Sequence, residues 1–307
     1  MLHKWDIIGH RPQLERLELD MRGERLSHAY LFHGVADIGK FRVARAMASI
    51  LQCPNGQCNN CPDCRQIRAG IHPDVIVMKD AGETLKIDDV RDLIHKTNLT
   101  SRSKRRFVII ENIERMPTEA QNAFLKTLEE PAGDTIFLLT ATGIGEVLDT
   151  IKSRTRQVAF FGVTDDVLRK ALHERFGLVN ELDEVIQIAQ GRPGLATRLL
   201  ENGPLLMEYR RMYSRIDFFL SGNGLSEKFR FVEELDADPE KIPFFFDTSF
   251  RYLRRLLHDG VRGGGVGRFG LRGIFDLFES LTKTRYLVDR NINKRLALEN
   301  FFLQTER

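Results

Sequence analysis

Through the first half of the chain, short apolar runs alternate with segments whose apolar residues recur every three or four positions, and the alternation stops near residue 162. The runs "AYLFHG" (29–34), "DVIVMK" (74–79), "RFVIIEN" (106–112), "TIFLLTAT" (135–142) and "RQVAFF" (156–161) have strand length and end in turn residues. Runs so continuously apolar fit a parallel sheet covered on both faces. Between them, "GKFRVARAMASILQ", "IDDVRDLIHKTNL" and "TEAQNAFLKTLEE" carry helical spacing. The last is sharply bounded: Thr118 and Gln121 make an expected capping box after Pro117, and Pro131 stops the helix.

From Thr164 onward the pattern is helical. "TDDVLRKALHERFG" is followed by "NELDEVIQIAQGRPGLATRLLENG", which Gly191 and Pro193 break in two. Longer helical stretches follow "ENGPL", interrupted by "HDGVRGGGVGRFG" (258–270), which reads as a mobile loop. The expected organisation is an α/β domain over 1–163, a small helical unit over 164–203 and a helical third domain over 204–307.

A chain of 307 residues with 42% hydrophobic content can bury a substantial core. It has no apolar run near the roughly 18 residues of a membrane helix, and charges are spread through "MLHKWDIIGHRPQLERLELD", which predicts no membrane association and a cytoplasmic location. The 46 basic and 43 acidic residues leave a net charge of +3, too weak a field to argue for nucleic acid. Local clusters carry that question. "SRSKRR" (101–106) reads as a solvated loop ahead of a buried strand. Arg251, Arg254, Arg255, Arg262, Arg268 and Arg272 interleave with Tyr252, Leu253, Leu256 and Leu257, as an amphipathic helix would that packs on partner subunits as readily as on DNA. Neither supports sequence-specific recognition. The eight histidines are scattered, and no Ser/His/Asp or Cys/His nucleophile constellation emerges.

All four cysteines fall in "CPNGQCNNCPDC": Cys53, Cys58, Cys61 and Cys64. These spacings let thiolates converge on one tetrahedral ion, so a structural zinc is the natural reading of a knuckle over 53–64; two local disulfides or four free thiols are the alternatives. Four thiolates would close the coordination, leaving no place for a substrate water and none for the nearby His72.

"GVADIGKF" (34–41) is nearly a phosphate-binding loop, with Gly34, Gly39 and Lys40 in place after a strand and before a helix. Phe41 stands where a hydroxyl would hold magnesium, so two readings stay open: phosphate contact through the loop and Lys40, or strand-turn-helix geometry kept without a nucleotide. In P-loop ATPases a second strand ends in Asp for magnesium and Glu for the attacking water; here "FVIIENIERM" supplies Glu111 and Asn112, and an amide is a poor base. Hydrolysis by this chain is expected to be absent or very slow.

"HAYLFHG…GK", the cysteine knuckle, "NAFLKTLEEP", "FLLTAT" and "SRT" follow one another in a fixed order, and in this the chain resembles the bacterial DNA polymerase III clamp-loader subunits of the AAA+ class, most closely their delta-prime branch. The resemblance covers essentially the whole chain. It implies a P-loop-type parallel sheet domain with an inserted zinc knuckle, a helical lid and an all-α collar whose last helix is "NINKRLALENFFL" (291–303). It also implies a place in the polymerase holoenzyme beside tau/gamma ATPase and delta subunits, with the sliding clamp and primed DNA as partners. The family's Ser-Arg-Cys motif presents an arginine to ATP held by a neighbouring subunit; here it reads Ser153, Arg154, Thr155, so the arginine finger in trans falls on Arg154. Thr142 matches the region that senses the terminal phosphate, or else merely finishes its strand, and Arg192 in "GRPG" sits where the lid approaches a nucleotide. An active ATP-hydrolysing subunit of the same assembly is the alternative. So is a stand-alone zinc-dependent nucleic-acid binder, although the cysteine stretch contains no Lys or Arg.

Overall fold

The computed structural model describes residues 3–23, 26–80, 87–97, 101, 103, 105–222, 224–261 and 269–305. In chain order its elements begin α1 (Arg11–Arg22), β1 (Ala29–His33), α2 (Lys40–Gln52), α3 (Pro62–Ala69), β2 (Val75–Met78), α4 (Ile87–Thr97), β3 (Arg106–Ile110), α5 (Thr118–Glu129), β4 (Thr135–Ala141), α6 (Asp149–Arg154), β5 (Arg156–Ala159) and α7 (Asp165–Phe176). Helices α8 (Leu182–Ala189), α9 (Pro193–Glu201), α10 (Gly203–Leu220), α11 (Leu225–Ala237), α12 (Lys241–Val261), α13 (Gly270–Asp289) and α14 (Lys294–Gln304) complete the chain. Two compact units result, one of residues 1–179 with 191–195, the other of 180–190 with 196–307.

In the first unit the five expected strands form one parallel sheet in the order β2-β3-β4-β1-β5. Alternate residues of each strand feed opposite faces. Tyr30, Phe32, Phe107, Ile109, Leu138 and Phe160 pack with α1, α2 and α3, whereas Leu31, Val108, Ile110, Phe137 and Leu139 pack with α4, α5 and α6. Burial on both faces explains why the strands read as continuous apolar runs. Each strand is one to two residues shorter than its run; apart from Asp74 ahead of β2, the residues left out are the final ones, which turn out of the sheet to build the loops at its carboxyl end.

Three expectations are corrected here. Helix α5 begins at Thr118 with Pro117 as its N-cap, and no side chain caps it. The capping box is absent because the Gln121 amide is spent elsewhere: it donates to the carbonyls of Met116 and Glu146 and accepts from the Leu148 amide, tying α5 to the loop before α6. Arg106 of the basic run is buried rather than solvated, donating to the Thr97 carbonyl and pairing with Asp74. Asp74 also accepts from the Ser101 hydroxyl and the Ser103 amide, while Arg102 and Lys104 lie outside the described residues. In the glycine-rich stretch, residues 258–261 continue α12; residues 262–268, with Arg262 and Arg268, lie outside the described residues.

The second unit is helical. Its centre is a cluster of aromatic rings in which Phe219, Phe231, Phe245 and Phe302 meet with centroids 5.2–6.0 Å apart, in the tilted and edge-on arrangements aromatic pairs prefer. Arg251 is buried and paired with Asp247, so it is not presented to a phosphate backbone; Arg255 lies over the rings of Tyr213 and Tyr252, and Arg254 is exposed. Among the described residues no helix is long and apolar enough to cross a membrane.

Candidate nucleotide site, arginine helix and cysteine knuckle

The loop between β1 and α2 joins a strand to a helix, the setting expected of the candidate phosphate loop. Gly34 has a φ of 145°, and a Cβ there would lie 2.2 Å from the Phe160 carbonyl oxygen, so only glycine lets the loop pass β5. Gly39, also at positive φ, caps α2. The side chain that would meet a phosphate is turned inward: the Lys40 ammonium, 6% exposed, donates to the carbonyls of Gly34 at 2.6 Å and Val35 at 2.8 Å. Burial pulls its pKa down to about 8; the carboxylates of Glu114, Asp37 and Glu111 work against that shift, and the charge of Arg192 adds to it. Phe41 packs against the core beneath the sheet, so an apolar ring fills the position of the magnesium-binding hydroxyl.

The other candidate positions stand at the carboxyl ends of β3 and β4 and are tied together. Asn112, at a φ of 52°, donates its backbone amide to the Thr140 hydroxyl at 2.9 Å and its side-chain amide to Asp80 at 2.7 Å, and accepts from the Thr142 hydroxyl at 3.3 Å. Asp80 also pairs with Arg115, and its backbone amide donates to the Glu111 carboxylate at 3.3 Å. Burial raises the Glu111 pKa. Glu114 accepts from the amides of Thr142 at 2.7 Å and Gly143 at 3.3 Å. Asp80, Glu114 and Thr140, unremarkable in the sequence, therefore hold the groups where metal and water would be expected. The segment 191–195 closes the far side of the loop, with the Gly194 amide donating to the Asp37 carbonyl at 2.8 Å.

Arg154 sits at the other end of the sheet. It closes α6 just before β5, whose Arg156 is level with Tyr30 near the start of β1, while the phosphate loop leaves the far end of β1. Four rises from Tyr30 to Gly34 separate the two rims, about 13 Å at the usual strand rise, which puts Arg154 on the rim opposite its own chain's loop. Its guanidinium donates to the Thr150 carbonyl and the Ser153 hydroxyl and pairs with Glu129 at 2.5 Å, with side chains 38% and 46% exposed. Ser153 back-bonds to the Thr150 carbonyl. Arg156, two residues on, is instead consumed by Asp20.

The four cysteines converge: Cys53, Cys58, Cys61 and Cys64 offer sulfurs all within 4.8 Å of one another. The Sγ atoms of Cys53 and Cys58 are 3.6 Å apart and those of Cys53 and Cys61 3.7 Å, against about 3.8 Å for sulfurs placed tetrahedrally at 2.3 Å from zinc. Backbone amides of Cys58, Cys61 and Cys64 donate to the preceding ligand sulfurs; Cys58 is pulled down to about 6, chiefly by the backbone N–H groups of Asn60 and Cys61, whereas Cys61 is pushed up, the Cys64 backbone N–H being outweighed by burial and the neighbouring thiols. Cys61 caps α3, a helix that residue spacing did not announce. This donor set fits a divalent zinc. His72 turns away from it, accepting from the Asp74 amide and facing Asp63.

Residues 9–163 match the family model described as DNA polymerase III, delta subunit. The chain is 36% identical to the DNA polymerase III subunit delta' of Pseudomonas aeruginosa over 91% of its own length and 84% of that protein's. It is 32% identical to the DNA polymerase III subunit tau of Escherichia coli over 57% of its length and 28% of tau. Among solved structures, a gamma subunit-related protein of Thermotoga maritima aligns over 94% of this chain and 98% of that one with a TM-score of 0.51 at 20% identity, a likeness of fold. The chain belongs to the delta' family of DNA polymerase III subunits.

Proposed function

We propose that this chain is the non-hydrolysing member of a clamp loader. It assembles with tau or gamma ATPase subunits and a delta subunit, helps place the sliding clamp on primed DNA, and lends Arg154 to ATP held by a neighbour. Lys40 carries the reading: its ammonium is engaged by the loop's own carbonyls, beside a Phe41 that cannot bind magnesium. Asn112 in place of a basic carboxylate supports it, as does an arginine on the rim opposite its own loop. A planar, permanently charged fork suits charge spread over terminal phosphate oxygens.

The three-part division into a domain over 1–163, a lid over 164–203 and a collar over 204–307 belongs to the same reading, as does a cytoplasmic site of action. We infer that the cysteines hold zinc; when bound, it would staple α3 and the turns before it, with no open coordination site for chemistry.

The test is a complex reconstituted with the other loader subunits of the same host. With Arg154→Ala, DNA-stimulated ATP hydrolysis is expected to fall about a thousandfold, while the isolated chain shows no turnover before or after the change. Full activity of the variant complex would end the trans role. Kinship with tau favours a second reading, an active ATPase; magnesium-dependent ATP binding to the isolated chain, abolished by Lys40→Ala, would establish it.

A further inference from the structure

The cysteine stretch contains no cation, yet the fold sets three beside it. Arg42 and Arg45 from α2 and Arg68 from α3 line an open cavity of about 400 Å³ that reaches Cys64, with Asp6 as the one carboxylate among the described residues of its wall. Their charges are only partly spent. Arg42 reaches the Asp6 carboxylate and carbonyl at a long 3.4 Å, and Arg68 donates to the carbonyl and side-chain oxygen of Asn59. Half-buried Arg45 has no hydrogen-bond or ion-pair partner among the described residues. Burial, then the like charges of Arg42 and Arg68, hold its pKa below the usual arginine value. A cation in that position favours an anion, and the cavity is of a size that takes a nucleotide-sized group.

We propose that this groove binds a phosphate group, with Arg45 as the central charge and Arg42 and Arg68 closing on it from either side. Phosphate fits better than a carboxylate because its several oxygens accept from guanidinium forks approaching along different directions. The remaining wall includes neutral Ser49 and Asn59, which suits backbone contact and carries no base-reading pattern. Two sources share this chemistry, a nucleic-acid strand and a free polyphosphate.

The experiment uses the full-length, metal-loaded protein, with anisotropy of a labelled 20-nucleotide single strand and a separate titration with inorganic pyrophosphate. Arg45→Met keeps the stem's packing and removes the charge; Arg68→Gln, at the exposed rim, serves as the second variant should the first fold poorly. At least a tenfold loss of strand affinity, with a salt dependence about 0.7 shallower per arginine removed, supports the proposal with nucleic acid as source. Loss of pyrophosphate binding alone supports it with a free polyphosphate. Unchanged binding of both probes overturns it. So does a fall in zinc retention with binding intact, which would assign the arginines to balancing the thiolates, or a wild-type protein that binds neither probe. Arg154→Ala leaves both titrations unchanged, so failure here is separable from failure of the trans-arginine reading.

Discussion

Lys40 and Arg154 are two cations at opposite rims of one parallel sheet, and they have opposite fates. Lys40 is buried, hydrogen-bonded to its own loop, and its pKa is lowered to about 8. Arg154 remains partly exposed, paired with a surface carboxylate. An inward ammonium is a component of the fold, whereas an outward guanidinium in a surface pair costs little to redirect, since such pairs contribute about 0–1 kcal/mol. A loop lysine spent within the fold beside a motif arginine left at the surface is the arrangement that the proposed trans role of Arg154 requires.

The largest expected effect separates the two residues directly: Arg154→Ala removes about three orders of magnitude from the reconstituted complex's ATP hydrolysis, and Lys40→Ala leaves that rate as it was. A steady-state ATPase assay with primed DNA decides it, and equal losses would erase the contrast. Next in size is the pH dependence of stability. Lys40 gives up its proton near pH 8 in the fold and near 10.5 when unfolded. Between those values the unfolded chain holds more protons, so stability rises with pH across the window. The full rise is on the order of 3 kcal/mol, and urea titrations should show it in the parent and not in Lys40→Met.

Smaller is the expected cost of Glu114→Ala, which strips an acceptor from the amides of Thr142 and Gly143. About 1–3 kcal/mol of stability should go, with faster hydrogen exchange at those two amides, while Glu114→Gln keeps most of it. The smallest effect is that of Glu129→Gln. Stability should change by less than about 1 kcal/mol, and ATP hydrolysis by the complex should hold or rise slightly; a fall would make Glu129 a required support for Arg154.

The sheet was legible because strands buried on both faces advertise themselves as unbroken apolar runs, as "RFVII" and "TIFLLTA" do. The cysteine convergence was legible for a similar reason, since all its information lies within twelve residues. The polar network was not. Asn112, Asp80, Glu114, Thr140 and Thr142 meet across 28 to 32 positions of chain, and nothing local to any of them names its partner. Gln121 shows how a local rule misleads: its spacing from Thr118 fits a cap, but bonds to Met116, Glu146 and Leu148 claim its amide. Arg45 and Arg68 escaped notice because the cations flank the cysteine stretch and only folding places them beside it.

One contact ties the turn between β1 and α2 to segment 191–195. The Gly194 amide holds the Asp37 carbonyl, and a methyl group on Gly194 would sit 2.6 Å from that same oxygen. Segment 191–195 is thereby a stop against which the turn between β1 and α2 rests. A bulkier residue at 194 would press on the Asp37 carbonyl and so on the turn between β1 and α2.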